Sequence, residues 1–120
     1  MILEGNSFWG VLWWLLAAHA LTDYAWQSDF IATYKHPHYD GEKRAQVGPW
    51  WWTMGAHALI NGAGVAWVCR HWQLGLVETI VHFITDTLKC LGIIGTKTDQ
   101  AIHLLSKVAY AYWWGHVLWR

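Results

Sequence analysis

The sequence predicts an all-α fold, a four-helix transmembrane bundle forming one integral membrane domain over residues 1–120. Three observations point to it. Apolar residues make up 55% of the chain, while Asp, Glu, Lys and Arg together reach 13%, about half the share usual in a soluble domain. Twelve of the 120 residues are tryptophan, too many for a small aqueous core. Four stretches come close to the roughly 20 mainly apolar residues that cross about 30 Å of hydrocarbon.

The first helix is expected over residues 8–34. Between Glu4 and Asp23 no residue carries a formal charge, and the stretch includes Trp13-Trp14-Leu15-Leu16-Ala17-Ala18. Ala18-His19-Ala20 has the small-x-small form of a signal cleavage site. The start holds Glu4 and no Lys or Arg, however, and Trp13-Trp14 is bulky for such a segment, so cleavage is not expected. The second helix, 50–70, comes from the uncharged run Ala45–Cys69. The third, 74–91, is apolar except for Glu78, His82, Asp86 and Lys89. The fourth, 98–119, carries only Asp99, His103, Lys107 and His116 among its ionisable groups. Pro37, Gly41, Gly48-Pro49, Gly92 and Gly95 punctuate the boundaries, with a loop over 35–49. Alternating strand patterns are nowhere evident.

Tryptophans fall where interfacial belts would place them: Trp50-Trp51-Trp52, Trp67, Trp72, Trp113, Trp114 and Trp119. The 35–49 and 89–98 connections hold Lys35, Lys43, Arg44, Lys89 and Lys97, against Arg70 and Arg120 on the other face. Positive-inside then puts the larger loops in the cytoplasm and both termini outside. The expected location is the inner (cytoplasmic) membrane of a bacterial cell, with the lipid bilayer as partner. Eight basic residues balance eight acidic ones. With no basic stripe, nucleic acid is not expected as a partner. Cys69 and Cys90 make neither a disulfide framework nor a zinc ribbon.

Ionisable groups inside membrane helices cost about 3 kcal/mol each by insertion scales, and persist where they pair or do chemistry. One motif recurs here. It reads His19-Ala-Leu-Thr-Asp23, His57-Ala-Leu-Ile-Asn61 and His82-Phe-Ile-Thr-Asp86, then, reversed, Asp99-Gln100-Ala-Ile-His103. Residues four apart share a helix face. In an up-down-up-down bundle all four pairs fall at similar depth, near the face assigned to the cytoplasm, and one shared site is the economical explanation. Gln27 extends the first face, Glu78 and Lys89 the third, and Ser106 or Lys107 the fourth. Lys35, twelve residues after Asp23, lies along the same side if the first helix continues.

Imidazoles with carboxylates are a ligand set for zinc, iron or manganese, and facing bundle helices are a known place to hold such ions. The expected ligands are His19, Asp23, His57, His82, Asp86 and His103. Asp23 and Asp86 ligate or act as general base, and Lys89 neutralises an anionic group on substrate or intermediate, in a metal-dependent hydrolase of unspecified small-molecule or lipid-linked substrate. Gln27, Lys35, Asn61, Glu78, Asp99 and Gln100 form the surrounding or substrate-contacting set. Two other readings fit the same residues. One is a buried network in which each Asp orients a His. The other is a proton or ion path, for which Gly62-x-Gly64 is the one hint of a broken helix. His36 and His38, beside Asp40 and Glu42, read as loop residues, and His71 and His116 as interfacial. No phosphate-binding glycine loop, Gly-x-Ser-x-Gly or haem-attachment motif is present.

The order H-x3-D-x3-Q, Lys, H-x3-N, H-x3-D-x2-K, D-Q-x2-H resembles the DUF3307 family, small integral membrane proteins of bacteria and bacteriophages with no established function. The matching residues are His19, Asp23, Gln27, Lys35, His57, Asn61, His82, Asp86, Lys89, Asp99, Gln100 and His103, within residues 15–110. Asn61 stands where the resemblance implies a His in many members, which implies one metal rather than two if that position must ligate. The resemblance also implies a non-enzymatic alternative, a bacteriophage factor acting on a host membrane protein, and a homo-oligomer is compatible with it.

Overall fold

A computed structural model of the protein describes residues 7–118, so Glu4, Trp119 and Arg120 lie outside the described residues. The fold is all-α, with no strand among the described residues. Helix α1 (Phe8–His19) runs into a π-helical turn (Ala20–Ala25), followed by short helices α2 (Asp29–Tyr34) and α3 (Arg44–Val47). Three long helices follow: α4 (Trp50–Cys69), α5 (Trp72–Cys90) and α6 (Thr96–Trp113), the last ending in a π-helical turn, Trp114–Leu118. The first segment and the three long helices close a ring in which α1 touches α4 and α6, and α5 touches the same two.

The expected first helix over 8–34 is three pieces. Thr22 donates its hydroxyl to the Ala18 carbonyl at 2.9 Å, and Trp26 N–H reaches back five residues to the Leu21 carbonyl, widening the turn. Ser28 then caps a new helix, its hydroxyl accepting the Ile31 N–H at 3.3 Å. By contrast α4 is continuous through Gly62 and Gly64. Gly62 lets α5 approach, since a methyl group there would lie 2.4 Å from the Gly75 carbonyl oxygen and 1.9 Å from Thr79 Oγ1. The small residues serve packing, and the helix is not weakened there. Arg70, in the left-handed region at φ 52°, reverses the chain between α4 and α5.

Each long rod buries one stripe of residues spaced by four. In the first segment it is Val11, Leu15, His19, Asp23; in α4 His57, Asn61, Val65, Cys69; in α5 Leu74, Glu78, His82, Asp86; in α6 Asp99, His103, Lys107, Ala111. Every stripe changes once between apolar and polar. Because neighbouring rods run antiparallel, all the polar halves meet at the end capped by α2 and the α5–α6 connection. The apolar halves gather at the other end in a cluster with Val68, Tyr110 and Trp114. The outward faces are apolar: Trp9, Trp13, Leu59, Trp67, Ile80, Ile84, Leu104 and Leu105 are all exposed. Against the four expected spans, no helix of the described residues is long and apolar enough to cross a membrane. At 12 residues α1 is too short, and the polar part of each stripe lowers the mean hydropathy of α4, α5 and α6.

Candidate metal centre

Asp23 is the hub. It leaves the π-helical turn toward the bundle axis, where Oδ1 lies 3.1 Å from His57 Nε2 and 3.5 Å from His82 Nε2. Its Oδ2 lies 3.7 Å from His19 Nε2 and accepts from Gln100 Nε2 at 3.3 Å. Gln100 also meets His19 through Oε1 at 3.3 Å, so one amide spans two groups of the first segment. The imidazoles form a continuous row. His57 and His82 ring centres are 4.9 Å apart, His82 and His103 stack at 4.3 Å, and His103 and His19 lie at 5.3 Å.

Two lysines cover the side nearest the loops. Asp86 Oδ2 lies 2.5 Å from Lys35 Nζ and Oδ1 2.8 Å from Lys89 Nζ. Lys35 also donates to Gln27 Oε1, and Lys89 reaches Asp99 Oδ2 at 3.3 Å. Asp99 in turn holds His103 Nε2 at 3.1 Å. Deeper along the axis, Lys107 pairs with Glu78 at 2.6 Å, and Glu78 Oε1 lies 3.7 Å from His82 Nδ1. Ser106 Oγ sits 3.4 Å from the other Glu78 oxygen. Lys107 Nζ is 5.8 Å from the centre of the Tyr110 ring, which belongs to the apolar cluster.

The charges do not close. Four buried carboxylates, Asp23, Glu78, Asp86 and Asp99, face three lysines, Lys35, Lys89 and Lys107. Asp23 is the one with no lysine within ion-pair distance among the described residues, and it faces the imidazoles of His19, His57 and His82 and the neutral amide of Gln100. The Nδ1 atoms of His19, His57, His82 and His103 are buried with no hydrogen-bond partner in the protein, each a group that costs about 1–3 kcal/mol if left unmet. Two triads of ligand atoms lie within 4.8 Å of one another, Asp23–His82–His103 and His57–His82–Asp86. They share His82.

Asn61 joins neither triad. Its amide nitrogen donates to the His57 carbonyl at 3.0 Å and its oxygen accepts from Thr22 at 2.8 Å, which ties α4 to the first segment. Sequence reasoning overlooked Thr22, inside the first motif, and left Lys107 undecided against Ser106. Both continue an inward face, which was the available signal. His36 and His38 are loop neighbours, their rings 6.1 Å apart, and His71 and His116 lie near Trp113 and Tyr112. None of these four reaches the hub. Cys69 and Cys90 are free thiols.

The fold and site together define a class of protein: an antiparallel helical bundle with a polar half-core of histidines, carboxylates and lysines. Residues 11–118 match the family model described as protein of unknown function (DUF3307), nearly the whole chain, and the protein belongs to that family. No curated protein and no solved structure matches it.

Proposed function

We propose that this chain is a multi-pass protein of the bacterial cytoplasmic membrane whose polar half-core binds a divalent metal ion, with metal-assisted hydrolysis as the reaction class. The observation that carries the metal is Asp23, a buried carboxylate with no lysine within ion-pair distance, beside His82, whose Nε2 lies 3.5 Å from it and has no hydrogen-bond partner. Its countercharge is a proton on an imidazole or a cation. A proton on His82 would face Asp23 and Glu78, 3.5 and 3.7 Å from its two ring nitrogens, whereas one on His19, His57 or His103 would leave an Nδ1–H donor with no acceptor. A metal ion instead takes the lone pairs of the nitrogens and the charge of the carboxylate together. Asp23, His82 and His103 would hold it, with His19 and His57 adjacent and Gln100 and Asp99 orienting the ligands. Such an ion supplies Lewis acidity. Water and substrate would reach the site beside Lys89, whose side chain is 27% exposed.

Support for the membrane comes from the inverted distribution of polarity. Exposed Leu, Ile, Val and Trp cover the outward faces while charges fill the axis, the arrangement expected of ionisable residues in a bilayer. Averaged along a helix, the two faces cancel, so a modest mean hydropathy and an apolar exterior coexist. The basic loops adjoin the polar end, so its mouth would face the cytoplasm. Conduction, the competing reading, needs the polar chain to reach both ends, whereas it stops at Lys107 beneath Tyr110.

Elemental analysis of the detergent-purified chain tests this reading. Stoichiometric zinc, iron or manganese is expected in the wild type and none in Asp23→Asn or in His82→Ala/His103→Ala. A metal-free wild type prepared without chelators would sink the proposal. For the membrane, the chain should remain in the pellet after an alkaline carbonate wash, and release into the supernatant would refute that part.

A further inference from the structure

The two ligand triads are not equivalent, and the difference lies in Lys35. In the Asp23–His82–His103 triad the carboxylate has no lysine. In His57–His82–Asp86 both carboxylate oxygens are engaged by ammonium groups, Oδ2 by Lys35 and Oδ1 by Lys89. His57 Nε2 lies 3.5 Å from the same Oδ2 that Lys35 holds. Lys35 therefore stands where a cation bound by Asp86 and His57 would sit.

Resting on the metal reading above, we propose that the Lys35 ammonium occupies a second divalent-cation seat built from His57 and Asp86, and so limits the wild-type site to one ion. An ammonium and a divalent ion compete for that carboxylate oxygen, since both need it within about 3 Å. His82 is shared, and its Nε2 lone pair serves one ion at a time. With the first ion on His82, the second seat retains His57 and Asp86, and Gln27 Oε1, freed of Lys35, is a further oxygen beside it.

How Lys35 arrives explains why it stays. The break after the π-helical turn redirects the chain, so α2 brings Lys35 back over the polar end with 4% of its surface exposed. Arg44 pins the backbone on both sides of it. Nη1 donates to the Tyr34 carbonyl at 2.8 Å, Nη2 to the His36 carbonyl at 2.9 Å and Nε to the Tyr39 carbonyl at 3.0 Å. The guanidinium also lies 5.5 Å from the ring centres of both Tyr34 and Tyr39. Three hydrogen bonds to backbone carbonyls hold the segment as a strap, with the ammonium as its tongue.

The experiment is a count of bound cobalt(II) per chain on the detergent-purified full-length protein, after saturation and desalting. One equivalent is expected in the wild type, two in Lys35→Ala, and one again in Lys35→Ala/His57→Ala. Lys35→Arg keeps the cation and should stay at one. Should Lys35→Ala fail to fold, Arg44→Ala gives a second route. It leaves both seats intact and loosens only the strap, so the second equivalent should appear at a cobalt concentration at least tenfold lower than any wild-type uptake. Two ions in the wild type, or one in a folded Lys35→Ala with no second uptake in Arg44→Ala, would overturn the proposal while leaving the metal site standing. No cobalt in any variant, the wild type included, would overturn both.

Discussion

At one end of the bundle Asp23, His57, His82, Asp86 and His103 fill the interior; at the other Val11, Leu15, Val65, Leu74 and Ala111 occupy the same stripes. The rods and the spacing are shared, and only the side chains change. The apolar end needs nothing beyond fit, because each Leu or Val loses surface to its neighbours without polar groups to satisfy. The polar end must close a hydrogen-bond and charge account, and within the protein it closes incompletely, at Asp23 and at the histidine Nδ1 atoms. An interior built only to hold helices together would more cheaply continue the apolar pattern, since a buried ion pair is seldom more stabilising than a well-packed apolar pair. The incomplete end is therefore where a function belongs.

The boundary between the two ends is the Glu78–Lys107 pair, and breaking it should have the largest effect. Lys107→Ala leaves Glu78 buried without its cation and should cost about 3–5 kcal/mol, read as a drop in melting temperature in detergent. The double replacement Glu78→Leu/Lys107→Met moves the apolar end one layer toward the site and should recover most of that loss. If the double variant is as unstable as the single one, the pair is more than a boundary. Leu15→Ala, wholly on the apolar side, should cost about 2–5 kcal/mol through its cavity and leave metal content untouched. A change in metal content there would mean that the two ends are not independent.

Much of this comparison was legible in the chain. Largely apolar runs and Gly or Pro punctuation mark the long helices α4, α5 and α6, because helix length and boundary chemistry are local properties. The recurring His and Asp at four-residue spacing mark an inward face, because that spacing is helical geometry. What was not legible depends on three-dimensional placement. The break at residues 26–28 rests on the Trp26 N–H reaching back to the Leu21 carbonyl and on Ser28 capping a new helix. The return of Lys35 to Asp86 needs that break, with Arg44 to hold the segment. Pairing each lysine with its carboxylate needs both. A continuous first helix over 8–34 could not have delivered Lys35 through such a strap.

Gly62→Ala probes the frame that carries both ends. The added methyl meets Thr79 Oγ1 and the Gly75 carbonyl, and since α5 backbone cannot yield as a side chain can, α4 and α5 must separate. About 1–3 kcal/mol of stability should be lost. Thr79→Ala in the same chain should return only part of it, because the carbonyl contact remains.

Thr22→Val should have the smallest effect and draws the finest distinction. The substitution keeps the shape of the side chain and removes a hydroxyl whose single proton is shared between two oxygens. The Ala18 carbonyl is one, within the widened turn, and Asn61 Oδ1 on α4 is the other, tying that helix to the first segment. Interhelical bonds of this kind contribute about 0.6 kcal/mol on average in a bilayer protein, so the melting temperature should fall only slightly. The site should respond more. Asp23 follows Thr22 directly in the turn, and a turn that relaxes toward regular α-helix rotates the carboxylate away from His57 and His82. Metal affinity should therefore fall by more than the stability change alone accounts for, measured by competition with a chelator. Equal losses in both would mean that Thr22 is an ordinary strut and that the π-helical turn holds Asp23 in place without it.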